Sequence, residues 1–196
     1  MDEIKSALER AMERAESLGK ASDDERSEWK YVPEGERLAA AYLVDECDLK
    51  TEIAKHDVAV REHIINGVLK VLVRNIDLPR NDIAKQKNGK AMEAIKELKQ
   101  DKASVEETYA RITHVLNHYE QEGEQQRRQA YESVKRDVEV KVRQAAQQQM
   151  GASSAVNIDV EVQPLFKQEW RRVLGQLEAQ YIRLLDEYKK ELLGIP

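Results

Sequence analysis

The sequence predicts an all-α protein, an elongated bundle of long amphipathic helices with coiled-coil character. Ala, Leu, Glu, Lys and Arg make up about half of the chain, which is the composition of long helices and coiled coils. Aliphatic residues recur at spacings of three and four over most of its length. Only 8 glycines and 4 prolines interrupt the 196 residues, and this length favours a single domain.

The N-terminal region predicts a short helix and then a connector. Apolar residues at helical spacing indicate an amphipathic helix over residues 1–18, and Gly19 follows where a helix cap is expected. Residues 20–35 contain a proline and a glycine, so they are expected to form a connector. Ser22 and Glu25 have the spacing of a capping box, which predicts one helical turn within it.

Residues 36–76 predict one long helix. The segment has no proline, and at 1.5 Å per residue it would extend roughly 60 Å. A single apolar face runs through it. That face consists of Leu38, Tyr42, Leu49, Ile53, Val60, Ile64, Gly67 and Val71.

Residues 80–149 predict a helical hairpin or a second long helix. Its first part, up to residue 101, has a weaker pattern that is broken near Asn88 and Gly89. After a capping box at Ser104, a heptad pattern begins at Val105 and predicts a seam, but its polar part over residues 120–129 has little to bury and is expected to project into solvent or to bend near Gly123. The seam residues are Tyr109, Ile112, Leu116, Tyr119, Gly123, Gln126 and Ala130.

The C-terminal region predicts one extended segment and one helix. Four aliphatic residues alternate with polar residues over 156–162, which is the period of a strand. A lone strand needs a pairing partner, so an extended linker lying along a helix is an equal alternative. Pro164 suits the first turn of a final helix over residues 164–193, which carries an aromatic-rich seam.

Charge and composition narrow the classes of partner. A net charge of −5 disfavours nucleic acid, and the most apolar run, Ile64–Val73, is too short to span a bilayer. The N-terminus has acidic residues where an export signal would be basic and then apolar. Cys47 is the only cysteine and is expected to fill a small core or seam position. We therefore expect a cytoplasmic protein with no membrane or nucleic-acid partner.

No catalytic pattern is present, so the sequence predicts neither an enzyme nor a cofactor. The glycine-rich phosphate and dinucleotide loops and the Gly-x-Ser-x-Gly nucleophile pattern are all absent. The paired Glu-x-x-His pattern of di-iron bundles is absent as well. We therefore assign no catalytic or cofactor-binding residue.

The four histidines are the only candidate metal ligands, and they occur in two pairs. His114 and His118 have the i, i+4 spacing of a helical clamp but face away from the heptad seam, where solvent is the expected neighbour. His56 and His63 flank the apolar face of the predicted long helix, where bonds to a neighbouring helix are expected. Neither pair has a third ligand at a recognisable spacing, so no bound metal is predicted.

One segment of the predicted long helix is apolar on nearly all sides, which predicts self-association. Such a helix must be covered on more than one face, and a second copy is the simplest cover. The predicted dimer interface consists of Ile65, Gly67, Val68, Leu69 and Leu72. Gly67 would allow a crossing helix to approach closely, and the alternative is that helices over residues 80–101 and 105–119 of the same chain cover both sides of this segment.

Two resemblances accompany these patterns. The opening Met-Asp-Glu-Ile-Lys-Ser-Ala-Leu-Glu-Arg-Ala-Met-Glu-Arg with Leu18-Gly19-Lys20 resembles a family of small helical bacterial proteins of unknown function, which implies no activity. Residues 104–196 are similar in outline to the stalk subunits of rotary ATPases. We predict a non-enzymatic interaction, scaffold or adaptor protein that acts through helical surfaces. The alternatives are a metal or small-ligand binder using His56 and His63, and a stalk-like subunit of a larger complex.

Overall fold

The computed structural model describes residues 22–150 and 159–196, and these residues form seven helices and no strand. The predicted all-α class is therefore confirmed. The helix predicted within residues 1–18 lies outside the described residues. The helices are α1 (Asp23–Leu43), α2 (Leu49–Ala54), α3 (Val58–Asn75), α4 (Asp82–Leu98), α5 (Lys102–Glu120), α6 (Glu122–Met150) and α7 (Pro164–Gly194).

The chain divides into two compact units, and the division lies between Val71 and Leu72, inside α3. The first unit contains α1, α2 and most of α3, and the second contains α4 to α7. The sequence predicted one domain, whereas the structure has these two units. The elongated outline and the coiled-coil character stay predictions.

Residues 23–35 of the predicted connector belong to helix α1, so that prediction was wrong over its described part. The capping box is present: the Ser22 hydroxyl accepts a hydrogen bond from the Glu25 amide at 3.1 Å, and the Glu25 carboxylate accepts one from the Ser22 amide at 2.7 Å. It starts a helix of 21 residues that continues through Pro33. Pro33 removes one backbone hydrogen bond, but the tertiary packing of α1 against α3 outweighs this loss. Trp29, on α1, is 69% exposed.

The single long helix predicted for residues 36–76 was also wrong, because the chain breaks it twice. After α1, Asp45 takes a positive φ of 63°, and the Asp48 carboxylate then accepts a hydrogen bond from the Thr51 amide at 2.8 Å to begin α2. Before α3, the Asp57 carboxylate accepts one from the Ala59 amide at 3.2 Å. In the sequence, the helical spacing of the apolar residues continues across both breaks, so this spacing alone did not reveal where the helices end.

Two glycines allow α1 and α3 to touch backbone to backbone. A Cβ atom at Gly35 would lie 2.0 Å from the carbonyl oxygen of Ile64, and one at Gly67 would lie 2.1 Å from that of Val32. These distances are far inside van der Waals contact, so each position accepts only a hydrogen. The close approach predicted at Gly67 is thus made by α1 of the same chain.

In the second unit, the segment predicted as a hairpin or long helix forms three helices. Helix α4 runs without interruption through Asn88, the position of a predicted break. Asn88 is buried, and its side-chain amide donates to the Asp77 carbonyl at 2.6 Å and accepts from the Asp77 amide at 2.9 Å. Asn88 therefore ties the segment before α4 to the helix instead of breaking it.

Helices α5, α6 and α7 pack together in the second unit. The predicted seam of α5 is buried at Val105, Tyr109, Ile112, Leu116 and Tyr119. Helix α5 ends at Glu120 and α6 begins at Glu122, next to the predicted bend at Gly123. Helix α7 matches the predicted final helix to within one residue and contacts both α5 and α6.

The strand or extended linker predicted for residues 156–162 was wrong over its described part. Residues 156–158 lie outside the described residues, and residues 159–163 form a turn in which the Gln163 amide donates to the Val160 carbonyl at 3.1 Å. The turn buries Val160 and leaves Val162 57% exposed, so the two do not share a covered face. Val160 packs in a cluster whose other members are Val134, Val138, Phe166, Tyr131, Val142, Trp170 and Val173.

Candidate functional site

A cleft of about 460 Å³ lies among α5, α6 and α7 of the second unit. Its lining residues share one property: none carries a formal charge when histidine is counted as neutral, although 35% of the chain is charged. They are His114, Val115, His118, Gln126, Gln176, Leu177, Gln180, Tyr181 and Leu184. The cleft is thus a neutral site on a highly charged protein.

The two histidines of α5 form one wall of the cleft. They are exposed, as their position opposite the seam predicted, but α7 passes beside them. The Nδ1 atom of His118 lies 3.0 Å from the hydroxyl oxygen of Tyr181, at hydrogen-bond distance. The ring centroids of His114 and His118 are 6.5 Å apart. The Tyr181 contact fixes His118 through Nδ1 and leaves its Nε2 atom to face a ligand or solvent.

A polar network lies behind this wall, in which Tyr119 and Glu178 are buried and Arg80 is partly exposed. The Tyr119 hydroxyl donates to the Glu178 carboxylate at 2.5 Å, and the Arg80 guanidinium donates to the same carboxylate at 2.9 Å. Burial alone would raise the pKa of Glu178, but the hydrogen bonds from Arg80 and Tyr119 outweigh it and hold this pKa below its usual value. Burial and the Glu178 carboxylate raise the pKa of Tyr119 to about 12. Near neutral pH the network therefore has fixed donors and one fixed acceptor.

The bend between α5 and α6 is braced by Arg127. Its guanidinium lies over the Tyr119 ring at 3.9 Å from the centroid and donates to the Tyr119 carbonyl at 3.1 Å. It therefore satisfies a carbonyl at the C-terminus of α5. The Tyr119 ring also meets Tyr181 edge-to-face at 5.3 Å, which connects the buried network to the cleft wall.

The side chains of the cleft are suited to binding neutral polar groups. Imidazole, amide and hydroxyl groups can both donate and accept hydrogen bonds, and Val115, Leu177 and Leu184 add apolar surface. Among the residues that the structure describes, no carboxylate lines the cleft. Within the described ranges, no three His, Cys, Asp or Glu side chains lie close enough together to hold a metal ion.

His56 and His63, the other candidate ligands, lie in the first unit and each faces its own carboxylate on α1. The Nε2 atom of His63 is 3.2 Å from the Asp24 carboxylate, and that of His56 is 3.9 Å from the Glu34 carboxylate. The His63 pair matches the expected bond to a neighbouring helix, whereas the His56 pair is beyond hydrogen-bond distance. Cys47 is half-buried, with its Sγ atom 3.5 Å from the Leu38 carbonyl, which fits the predicted small seam position.

The residues predicted as a dimer interface have another role in the structure. Gly67, Val68, Leu69 and Leu72 are buried within the folded chain, and Ile65 is half-buried. A buried side chain has no surface to offer a second copy, so the placement of the interface on these residues is corrected. The alternative, that helices over residues 80–101 and 105–119 cover this segment, stays a prediction, and the neighbour that the structure shows at Gly67 is Val32 of α1.

The buried network was missed from the sequence. Glu178 lies within the apolar seam of α7, and a charged residue in such a seam is a recognisable signal of a buried ion pair. Its partner Arg80 lies 98 residues away in the sequence, in the segment between α3 and α4. No local pattern indicates a pairing over that separation.

A family model described as Family of unknown function (DUF6657) matches residues 50–194, so the chain belongs to that family. The match covers most of the chain and begins after the opening segment on which the sequence resemblance rested. No curated protein and no solved structure matches the chain. The stalk-like outline stays a prediction. Among the described helices, none combines the length and the apolar character needed to cross a membrane.

Proposed function

We propose that this member of a family of unknown function is a non-enzymatic, cytoplasmic interaction protein, and that the cleft among α5, α6 and α7 is the core of its binding surface. The observation that carries the proposal is the absence of charge from all nine lining residues of the cleft, in a chain with 35% charged residues. Depletion of Lys, Glu and Asp is the compositional mark of the centre of a protein–protein interface.

The exposure of the lining favours a protein partner over a small molecule. A small ligand is usually enclosed by 70–90% or more of its surface, whereas His114, Gln176, Gln180 and Leu184 are all exposed. A cleft between packed helices, with aliphatic side chains flanked by amides, suits the side chains of a helix laid across it. Leu184, at 41% exposure, would supply the apolar anchor.

The buried network supports a binding role over a catalytic one. Glu178 follows Leu177 of the cleft lining in the sequence, and its lowered pKa keeps it ionised near neutral pH. Arg80 and Tyr119 donate hydrogen bonds to both of its oxygens, so this carboxylate is engaged within the network. The network acts as a rigid support, and a preorganised surface loses less entropy on binding.

A photo-crosslinking residue at position 184 tests this proposal in cells. We expect a discrete crosslinked product from Leu184 and none from the control position Arg183, which is exposed on another face of α7. Adding Gln180→Glu, which places a charge in the cleft, should abolish the product without changing the melting temperature. Equal products from both positions, or a product insensitive to Gln180→Glu, would refute the proposed surface.

A further inference from the structure

Helix α4 contains the sequence Asn88-Gly89, a pair whose asparagine is prone to lose its side-chain nitrogen. In this reaction the amide nitrogen of the following residue attacks the asparagine side chain, and glycine hinders the attack least because it has no side chain. Gly89 is exposed, and a Cβ atom there would meet no atom within 4 Å. The glycine side of the pair is therefore sterically open.

The folded chain closes this reaction at Asn88 in two ways. The Asn88 side chain is 4% exposed, and both of its polar atoms are held by the Asp77 backbone, at 2.6 and 2.9 Å. Helix α4 also keeps the Gly89 amide in a hydrogen bond with the carbonyl four residues before it. While the helix is intact, the amide nitrogen therefore cannot reach the side-chain carbon of Asn88.

The N-terminal half of α4, residues 82–88, is the part of the helix that can release this pair. From Asp82 to Lys87 no side chain is buried, and Ile83 is 66% exposed. The start of the helix depends on the Asn81 side chain, which accepts a hydrogen bond from the Ala84 amide at 2.8 Å. A helical segment with few buried contacts opens locally at a lower free energy than the whole protein. Such an opening exposes Asn88 without global unfolding.

We propose that Asn88 is a deamidation site that the N-terminal half of α4 keeps closed, and that its conversion loosens the support of the cleft. After opening, the Gly89 nitrogen loses its proton to water and bonds to the Asn88 side-chain carbon, and the side-chain nitrogen leaves as ammonia. Water then adds to the cyclic imide and breaks a C–N bond in it, which yields aspartate or isoaspartate. The net change consumes water and releases ammonia.

Conversion of Asn88 reaches the cleft through a chain of contacts. A carboxylate at position 88 cannot donate to the Asp77 carbonyl, so two acceptors would face each other in a buried place. The Asp77 carboxylate accepts a hydrogen bond from Arg80 at 3.0 Å, and Arg80 is the partner of Glu178 in the network behind the cleft. Loss of the Asn88 contact therefore frees the segment that carries Arg80. This consequence rests on the proposed function of the cleft, whereas the closed deamidation site does not.

Peptide mapping by mass spectrometry tests the gate, on the full chain incubated at mildly alkaline pH. We expect Asn88 to convert at least about tenfold more slowly in the folded parent than in urea. Asn81→Ala should speed the conversion in the folded chain roughly fivefold, because loss of a cap shifts the opening equilibrium by about that factor. Asn81→Asp keeps a capping oxygen and should react as the parent does.

Asn66, followed by Gly67 in α3, is an internal control, and its rate should not respond to Asn81→Ala. Equal rates at Asn88 in the folded and unfolded chains, or an Asn81→Ala chain with an unchanged rate at Asn88, would overturn the gate. Gly89→Ala should slow the conversion in urea roughly tenfold, because the methyl group hinders the attacking nitrogen. An unchanged rate there would overturn the cyclic imide route.

The Leu184 photo-crosslink tests the consequence for the cleft. Asn88→Asp reproduces the aspartate product and should lower the crosslinked product several-fold at an unchanged protein level. Arg80→Gln, which leaves α4 untouched, should lower it as well, so the test does not depend on the folding of a single variant. A product that survives both changes would overturn the link to the cleft. A parent chain that gives no product would refute the function of the cleft, and peptide mapping alone would then decide the gate.

Discussion

The reciprocal glycines at the crossing of α1 and α3 give the sharpest stability prediction. Gly67→Ala places a methyl group 2.1 Å from the Val32 carbonyl oxygen, and Gly35→Ala places one 2.0 Å from that of Ile64. Carbon and oxygen atoms in contact lie about 3.3 Å apart, so each change pushes the helices apart locally by roughly 1 Å. The obstructing atoms are backbone, so no side-chain rotation relieves the clash.

The magnitude follows from two opposing effects. Overpacking a close helix contact costs about 3 kcal/mol, the upper part of the usual range, because a gap near 1 Å forfeits up to half of the dispersion energy of the separated atoms. Alanine offsets about 1 kcal/mol of this loss through its higher helix propensity. We therefore expect each single variant to be about 2 kcal/mol less stable than the parent. The double variant should lose less than the sum, because both changes open the same contact.

Two other helical glycines supply matched controls for the same chemical change. A Cβ atom at Gly89 in α4 or at Gly175 in α7 meets no atom within 4 Å. Gly89→Ala and Gly175→Ala should therefore stabilise the protein by about 0.5–1 kcal/mol through helix propensity alone. Urea unfolding followed by helical circular dichroism measures all four variants. A Gly67→Ala protein that gains stability as the controls do would refute the backbone contact.

Three further predictions concern the second unit and metal content. Glu178→Gln should destabilise it by about 2 kcal/mol at neutral pH, less than a fully buried pair because Arg80 is 41% exposed. The pKa of Glu178 is lowered in the folded state, so its contribution to the free energy of unfolding is present above the unfolded pKa of about 4.3 and is lost as the pH falls through the folded pKa. The stability difference between the parent and Glu178→Gln should therefore shrink over that acidic range. A difference that stays constant with pH would contradict the prediction. Phe166→Ala should cost about 3–4 kcal/mol in thermal or urea unfolding, since Phe166 is buried, whereas Leu165→Ala, at 37% exposure, should cost under about 1 kcal/mol. Elemental analysis should find no stoichiometric transition metal and a chelator should leave the melting temperature unchanged; about one metal per chain would refute this.

The sequence predicted helical content and the buried faces well, because both depend on local periodicity. The α5 seam and the extent of α7 are examples, since their apolar spacing alone selects one face. The helix boundaries were harder, since the caps at Asp48 and Asp57 lie within a continuous apolar register. Pro33 caused the opposite error, because a proline predicts a break in a helix. Helix α1 continues through it, since packing against α3 outweighs the cost of the proline.

The candidate site was only partly predictable. The heptad register placed His114 and His118 opposite the seam, but which helix borders that face depends on contacts between α5 and α7 that no spacing encodes. The apolar character of residues 65–72 indicated burial on several faces, and the sequence alone did not determine which chain covers them. Gly67 held the better signal, since a glycine within an apolar helix face is a mark of close packing.

The two tryptophans lie in different units and in different surroundings, so their fluorescence can be used to follow the unfolding of each unit. Trp29 lies in the first unit with most of its side chain in water, and Trp170 packs edge-to-face against Tyr131 in the apolar cluster of the second unit, with ring centroids 5.2 Å apart. Trp170 should therefore emit at shorter wavelength and resist collisional quenchers, and Trp29 should be quenched readily. In a Trp29→Phe chain, fluorescence would follow the second unit alone while circular dichroism follows both, so the two signals reveal whether the units unfold together or one after the other.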